Sequence, residues 1–239
     1  MSELRIGLVV EGPTDAIVLK AGLAAFLDNP FITRTLQPEV PPDKTGAGWG
    51  GVFWWCRQMA AGGFRFLGQH PTLDHLDLVV IQIDADVAGF NYLDANIREP
   101  GLSDLPCELP CPPASDTAEA LYSVICGWLA PSRLNGKAVI CIPSKCMESW
   151  VAAALYAPAD PGLAKDLECF KEIAGYLNAK PSQNRLIRMH NGKPRKIKPR
   201  YQAVETDITR NWNYVCQYCP QAEKFQSAVK TAIALTERK

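Results

Sequence analysis

The chain has 239 residues, 47% of them hydrophobic and 21% charged, and its 25 basic and 25 acidic residues give a formal net charge of zero. This length is enough to bury a hydrophobic core without stabilising disulfides or metal ions, and the balanced charge excludes a protein that attracts nucleic acid by overall positive charge. No apolar run is long enough to cross a membrane, and the first residues lack the features of a secretory signal, so we expect a cytoplasmic protein with no membrane partner. In that compartment the nine cysteines are expected to be free thiols.

The first elements are a strand and a helix separated by an acidic turn. The apolar run 5–10 predicts a buried strand, and residues 11–14 (Glu-Gly-Pro-Thr) end it with a proline that suits the first turn of a helix. A helix is predicted over 15–27 from its apolar face. Residues 28–51 are rich in proline and glycine and predict a loop with at most one weak strand, and 52–61 predict a short helix.

Two more strands follow, each before a helix. Residues 76–83 predict the clearest strand, which ends at the sequence Asp-Ala-Asp, and 137–142 predict another. Helices are predicted over 117–129 and 147–156. Apolar strands that alternate with helices predict an α/β fold whose mainly parallel sheet has helices on both faces.

Beyond residue 160 the strand pattern fades. A helix is predicted over 163–177, an irregular basic segment over 178–204 and a closing helix over 221–237. We therefore expect a core over 1–160 and a helical and irregular, basic C-terminal extension over 161–239 that packs on the core.

Acidic residues follow the predicted strands. Glu11 follows the first, Asp84 and Asp86 follow the second, and Glu148 lies beyond the third. Ligands of open α/β sheets bind outside the carboxyl ends of the strands, where such carboxylates need a cation and suit Mg²⁺ or Mn²⁺. If the strand continued, Asp84 and Asp86 would point the same way. Asp15 is either a further ligand or a favourable charge in the first turn of a helix.

Three segments resemble a known family. Residues 9–15 (Val-Val-Glu-Gly-Pro-Thr-Asp) and 80–86 (Val-Ile-Gln-Ile-Asp-Ala-Asp) resemble the TOPRIM domain of topoisomerases, bacterial primases and OLD-type nucleases. The segment 142–150 resembles the Glu-x-Trp helix start of small stand-alone OLD-like TOPRIM proteins, so the resemblance spans roughly 4–157.

The resemblance implies roles for individual residues. It implies that Glu11 is a metal ligand or a general acid and base, and that Asp84, Asp86 and Glu148 bind Mg²⁺ or Mn²⁺. Lys145 would stabilise charge on the reacting phosphate, or it is an ordinary surface lysine.

The function that the resemblance implies is metal-dependent cleavage of DNA or RNA phosphodiesters. The resemblance also implies a separate ATPase partner and a role in anti-phage defence, since small proteins of this type are often found with one and this sequence contains no ATPase. Two alternatives stay open: a primase-like or topoisomerase-like strand transferase, and a non-catalytic regulatory or partner-binding subunit. Both a monomer and a homo-oligomer fit the sequence.

A basic segment supports a nucleic-acid substrate. Residues 173–204 contain no acidic residue. Basic side chains there suit contacts with the phosphate backbone, and the candidates are Arg188, Lys193, Arg195, Lys196, Lys198 and Arg200. Aromatic residues that would stack on bases are Tyr201, Trp212 and Tyr214. The alternatives are a solvated loop and a patch for an acidic protein.

Two weaker patterns have structural alternatives. Residues 46–51 have the spacing of a dinucleotide-binding loop but follow a proline-rich segment, so we expect either a mobile substrate loop, in which Lys44 and Trp49 reach a nucleotide, or a structural loop. Cys216 and Cys219 could bind zinc with Cys107 and Cys111, but the long gap between the pairs favours buried free thiols.

Overall fold

A computed structural model of the chain describes residues 3–38, 46–164 and 166–236, and four parallel strands form its main sheet. They are β1 (Leu4–Val9), β2 (Phe31–Gln37), β3 (Leu78–Gln82) and β4 (Ala138–Cys141), in the order β2-β1-β3-β4. The central strands β1 and β3 are more deeply buried than the edge strands β2 and β4, because both of their edges are paired. The predicted parallel α/β sheet is confirmed.

Nine α-helices, six short 3₁₀ turns and a small hairpin complete the described part of the chain. The helices are α1 (Pro13–Phe26), α2 (Trp49–Ala61), α3 (Ser115–Leu129), α4 (Glu148–Leu155), α5 (Pro161–Ala164), α6 (Ile173–Asn178), α7 (Lys198–Arg210), α8 (Trp212–Tyr218) and α9 (Pro220–Thr236). The hairpin is formed by β5 (Ile187–His190) and β6 (Lys193–Lys196). In these ranges no helix has both the length and the apolarity to span a bilayer.

Side chains of the central strands alternate between two hydrophobic clusters. Leu78 and Val80 of β3 pack into one cluster with α1, α4 and α7 to α9. Val79 and Ile81 pack into the other with α2 and α3. This alternation follows from the two-residue period of a strand, and it confirms that helices cover both faces.

Two predictions for the C-terminal part are wrong. The helix expected over 163–177 is interrupted, because Asp166 adopts a left-handed conformation with φ of 53° and a short 3₁₀ turn follows it. The buried Glu168 carboxylate in that turn accepts hydrogen bonds from Trp150 Nε1 and Gln221 N, at 2.8 and 2.9 Å. The segment 178–204 is not irregular, because it contains the hairpin and the start of α7.

The C-terminal part completes the first hydrophobic cluster. Tyr201, Trp212, Phe225 and Val229 are buried there against side chains of β1 and α1. The division at residue 160 stays a prediction, but the two parts share one core.

Cys111 and Cys169 form a disulfide between the loop before α3 and the turn after α5, with their Cα atoms 5.4 Å apart. The expectation that all cysteines are free is therefore wrong for this pair. The residues are 58 positions apart in the sequence, so only the tertiary fold could reveal their proximity.

Candidate metal centre at the carboxyl edge of the sheet

Five carboxyl groups gather at the carboxyl ends of β1 and β3. They come from Glu11 after β1, Asp15 in the first turn of α1, Asp84 and Asp86 after β3, and Glu148 at the start of α4. Glu11 and Asp84 are in direct contact, because Glu11 Oε1 accepts a hydrogen bond of 2.6 Å from the Asp84 backbone N–H. The parallel sheet thus places acidic residues from distant parts of the sequence at one edge, as the sequence predicts.

Gln82, which the sequence reasoning missed, links the two central strands at this edge. Its side-chain amide donates to Asp84 Oδ1 at 2.9 Å, and its Oε1 accepts from the Glu11 backbone N–H at 3.3 Å. Asp84 Oδ1 also accepts from the Met147 backbone N–H at 3.1 Å. The sequence did contain an indication of this role, because Gln82 lies inside an otherwise apolar strand and a fully buried amide must find polar partners.

Asp86 reaches the cluster by a different route from the one predicted. β3 ends at Gln82, and a 3₁₀ turn begins at Ala85, so Asp84 and Asp86 do not lie on one face of a continuing strand. The turn is fixed to the segment before α4, because Ala85 N–H donates to Pro143 O at 3.0 Å and Asp86 N–H donates to Lys145 O at 2.8 Å.

Lys196 brings an ammonium group into the cluster. Its Nζ lies 2.9 Å from Asp15 Oδ1 and 2.9 Å from Glu148 Oε1. The Tyr201 hydroxyl donates to the same Glu148 oxygen at 2.8 Å. Lys196 was predicted to contact nucleic acid, but its side chain is directed to the carboxylates. Asp15 lies in the first turn of α1, and it is only 2% exposed.

The cluster contains more negative than positive charge. Burial raises the pKa of Glu11 to about 8, against the hydrogen bond from Asp84 N–H, and the negative charges of Asp86 and Asp15 add to the rise. Burial likewise raises the pKa of Asp86 to about 6. Burial raises the pKa of Asp84, as does the charge of Glu11. Burial also raises the pKa of Asp15, against the attraction of Lys196.

Glu148 behaves differently from the other four. Burial alone would raise its pKa, but the charge and hydrogen bond of Lys196 and the hydrogen bond from Tyr201 outweigh burial, so the pKa of Glu148 lies below its usual value. Glu148 is therefore the one of the five whose pKa is lowered, whereas at Glu11, Asp84 and Asp86 the charge of Lys196 opposes the effect of burial without outweighing it.

The donor set suits a divalent cation. Carboxylate oxygens are the hard ligands that Mg²⁺ and Mn²⁺ prefer, and a cleft of about 340 Å³ opens beside Glu11, Asp15 and Asp84. In the ranges that the structure describes, no group of three His, Cys, Asp or Glu side chains is already arranged to hold a metal ion. Backbone N–H groups and Lys196 engage several of the oxygens, so an ion would have to exchange with those donors.

The glycine-rich segment before α2 adjoins Glu11. Gly48 has a φ of 81°, caps α2 and donates its N–H to Glu11 O at 2.8 Å. Trp49 was expected to reach a nucleotide, but it is buried against Tyr92 and Trp128. Lys44 lies outside the described residues. The described part of this segment therefore serves a structural role beside the cluster.

Lys145 lies at the edge of the cluster. Its ammonium pairs with Glu108, which also contacts Lys171 at 3.1 Å. Lys145 itself adopts a left-handed backbone conformation, with φ of 61°, which directs its carbonyl to Asp86 N–H. The lysine that the resemblance singles out thus contacts the Asp86 backbone, while its charge is shared with Glu108.

The remaining basic candidates lie on and beside the hairpin. Arg188 pairs with Arg195 and His190 pairs with Lys193 across the two strands, and all four are exposed. Lys198 lines the cleft beside the carboxylates, and Arg200 follows in the first turn of α7. Within the described ranges, no ion pair forms on Arg188, Lys193, Arg195, Lys198 or Arg200.

The prediction that three aromatic residues stack on bases is mostly wrong. Tyr201 and Trp212 are 0% and 3% exposed and belong to the hydrophobic core. Tyr214 is partly buried and stacks on Tyr218, with ring centroids 6.5 Å apart. Side chains inside the core cannot stack on a base.

The zinc alternative loses its ligands. Cys111 is oxidised in the disulfide, and Cys219 is buried with its Sγ 3.9 Å from Ser149 O. Cys216 is partly buried beside Gln226, and Cys107 is exposed. The interpretation of Cys219 as a buried thiol fits this arrangement.

No protein-family model matches the chain, and no curated protein or solved structure is significantly similar to it. The likeness to TOPRIM domains is therefore carried by three short motifs. The first covers the end of β1 and the start of α1, the second covers the end of β3, and the third leads into α4. All three contribute carboxylates to the same cluster.

Proposed function

We propose that this chain is a divalent-metal-dependent nuclease with a TOPRIM-like carboxylate site. The observation that carries the proposal is the convergence of five carboxyl groups from four segments at the carboxyl edge of a parallel sheet, four of them with a raised pKa. Such an arrangement is unfavourable unless a cation compensates it. The motif resemblance supports the same chemistry.

Glu11, Asp84 and Asp86 would hold Mg²⁺ or Mn²⁺, because these carboxylates form no ion pair within the described residues. A bound ion would supply Lewis-acid catalysis of phosphodiester hydrolysis. The alternative role for Glu11 applies if Asp84 and Asp86 hold the ion without it: with a pKa of about 8, Glu11 could then accept and return a proton near neutral pH, which is the property of a general acid and base.

The hairpin and the start of α7 would hold the nucleic acid. Arg188, His190, Lys193 and Arg195 form a basic outer face without acidic partners in the described residues, and Lys198 extends the positive charge into the cleft. Repeated phosphates on a nucleic-acid strand can satisfy several such charges at once. Binding of this kind positions the substrate without reading its sequence.

The resemblance adds two further parts to the proposal. It implies a separate ATPase partner and a role in anti-phage defence, as for small OLD-like proteins. These parts depend on the resemblance alone. They would be tested by the binding of an ATPase to the full chain.

One observation favours a second candidate, the non-catalytic subunit. The carboxylates are already hydrogen-bonded to backbone N–H groups and to Lys196, so the cluster could serve as a purely structural network. A topoisomerase-like transferase is less well supported, because Tyr201, the tyrosine hydrogen-bonded to Glu148, is buried and donates its hydroxyl proton to that carboxylate.

A cleavage assay separates these candidates. Plasmid DNA, single-stranded DNA and RNA are incubated with the chain in Mg²⁺, Mn²⁺ or a chelator. We expect cleavage that requires the metal and falls at least a hundredfold, that is about 2.7 kcal/mol of transition-state stabilisation, in Glu11→Gln and in Asp84→Asn. Asp74→Asn, an exposed carboxylate away from the cluster, is the matched control and retains activity.

Two results would count against the nuclease. Equal cleavage by the native chain and both cluster variants would show that the activity belongs elsewhere. No cleavage of any substrate, together with a protein partner whose binding survives both substitutions, would favour the non-catalytic subunit.

A further inference from the structure

Strand β4 forms an open edge of the main sheet. It pairs with β3 on one side, and among the described residues no strand pairs with it on the other side. Lys137 O and Cys141 O accept hydrogen bonds from Val79 N–H and Ile83 N–H, at 2.7 and 3.3 Å. Because successive peptide groups of a strand point to opposite sides, the N–H and C=O of Ile140 are directed away from β3. The edge therefore presents a backbone donor and acceptor to whatever lies beside it.

An apolar groove of about 760 Å³ lies along this open edge. β4 forms its floor, α3 forms one wall and α9 forms the other. Two smaller clefts that share Tyr122 with the groove continue it, one beside Leu134 and one beside Ile142. Tyr122 and Leu235 are 43% and 50% exposed, although both are large and mostly apolar. The groove is thus long and narrow, and its walls expose apolar surface to water.

The lining of the groove has no unpaired charge among the described residues. Glu119 on α3 and Lys224 on α9 are the two charged residues that line it. They pair with each other, with Lys224 Nζ 3.5 Å from Glu119 Oε1. A charged ligand would find no free partner of opposite sign there, so the lining favours an uncharged occupant.

We propose that this groove binds an extended, uncharged, apolar segment of a partner protein, which adds to the sheet as a fifth strand beside β4. The N–H and C=O of Ile140 would bond to the backbone of the segment, which is the usual source of affinity in strand addition. One face of the segment would pack on α3 and the other on α9, so the segment should be apolar at successive positions, as in strands that are covered on both faces. The inference does not depend on the proposed nuclease function.

Two other occupants fit the groove less well. In a second copy of the chain, β4 would also lie between its own α3 and α9, so the two strand edges could not meet unless these helices moved apart. A small apolar molecule would cover the walls but would leave the Ile140 N–H and C=O without partners, which is costly away from water. An extended segment covers the walls and satisfies both backbone groups.

The test starts with a selection of random peptides of about seven residues, which span about 23 Å as a strand, on the immobilised full chain. We expect enriched sequences that are uncharged and apolar at successive positions. A synthetic peptide of an enriched sequence should bind Thr231→Trp at least about tenfold more weakly than the native chain, because the indole would occupy the groove. Thr231 is an exposed residue of the α9 wall. Lys230→Trp is the matched control, since Lys230 is exposed on α9 outside the lining, and it should bind like the native chain.

Methylation of the peptide nitrogens separates strand addition from simple apolar contact. Methyl groups on alternate nitrogens, in the register that faces β4, should weaken binding at least about tenfold through lost hydrogen bonds. The same groups in the other register should have little effect. Ser123→Trp, on the exposed part of the α3 wall, is a second blocking variant if Thr231→Trp does not fold.

Three results would overturn the proposal. The first is a selection that enriches no peptide, or peptides that bind both blocking variants as tightly as they bind the native chain. The second is an equal effect of methylation in the two registers. The third is a dimer of the native chain that both blocking variants dissociate, measured by analytical ultracentrifugation, which would assign the groove to a second copy. Each of these results leaves the proposed nuclease function as it stands.

Discussion

The chemistry of Glu11 follows from its place directly after a central strand. There its carboxylate meets the Asp84 backbone N–H at 2.6 Å, and burial beside other acidic residues raises its pKa to about 8. The ionised form of such a group is unfavourable in the metal-free protein. Removal of that charge, by a proton or by a cation, is expected to be stabilising.

The raised pKa predicts how stability depends on pH. Between the usual value of 4.5 and about 8, the folded state binds more protons at Glu11 than the unfolded state does. The free energy of unfolding of the metal-free chain should therefore fall as pH rises through this window. Urea unfolding from pH 5 to pH 8 in chelator measures it, and Glu11→Gln should show a weaker fall.

Added Mn²⁺ should stabilise the native chain more at pH 8 than at pH 6, because ligands must lose their protons to bind metal.

The comparison with Glu11→Gln controls for other buried carboxyl groups. Glu168, whose pKa is about 7, is present in both the native chain and the variant, so it contributes the same pH dependence of stability to each. Identical pH profiles for the native chain and Glu11→Gln would contradict the assigned environment.

The acidic residues of the site could be predicted from sequence, but their partners could not. Glu11, Asp84 and Asp86 stand directly after apolar strands, so the general rule for parallel sheets places them together. Lys196 lies 181 positions from Asp15, and one lysine in a basic segment looks like any other. Gln82 was missed, and Tyr201 was assigned to base stacking, for a similar reason, since their partners are defined only by the folded chain.

At the scale of elements, the hairpin has two different faces. Ile187 and Lys196 face the core and the carboxylates, whereas Arg188 and Arg195 form a facing pair on the exposed side. Like charges directly opposite each other destabilise a strand pair. An anionic ligand on the exposed face would offset this repulsion.

The double variant Arg188→Glu/Arg195→Glu should bind nucleic acid at least about tenfold more weakly and reduce the salt dependence of binding, because each lost phosphate contact lowers the slope by about one. Fluorescence anisotropy over a range of salt concentrations measures both quantities. Arg133→Glu, an exposed residue before β4, is the control. Unchanged affinity and slope in the double variant would remove the hairpin from the binding surface.

Two helical glycines provide a matched test of packing beside Glu11. A Cβ atom on Gly51 of α2 would lie 2.1 Å from Gln37 Nε2 and 2.6 Å from Gly46 O, whereas one on Gly127 of α3 would meet nothing within 4 Å. Gly51→Ala should cost about 2 kcal/mol through overpacking against backbone. Gly127→Ala should stabilise the chain by about 0.5–1 kcal/mol.

Urea unfolding of the two variants measures this difference. If Gly51→Ala were as stable as the native chain, the close approach of α2 to the end of β2 would be wrong.

Elements with strong apolar patterns were predictable, and those fixed by tertiary contacts were not. β3 and β4 lie within the predicted strands, and β1 begins one residue before its predicted start, because each is a short apolar run between turn residues. The hairpin escaped prediction because its residues are mostly polar and basic, and its stability depends on Ile187 entering the core. The break between α5 and α6 depends on contacts of Glu168 with Trp150 and with α9.

At the scale of the whole molecule, the C-terminal part is required by the core. Tyr201, Trp212 and Phe225 fill the cluster that covers one face of the sheet. A fragment of residues 1–160 would expose that face, so we expect it to lack cooperative unfolding and to bind a hydrophobic dye. Circular dichroism and dye fluorescence measure this, with the full chain as the control. A fragment that unfolds cooperatively would establish 1–160 as an independent domain.

The central claim is that the acidic residues at the carboxyl edge of the sheet bind a divalent ion. Anomalous diffraction from crystals of the full chain soaked in Mn²⁺ tests it most directly. We predict one peak at ligand distance, about 2.1 Å, from oxygens of Glu11, Asp84 and Asp86, and its loss in Asp84→Asn. A fully soaked native crystal with no peak at these side chains would contradict the claim.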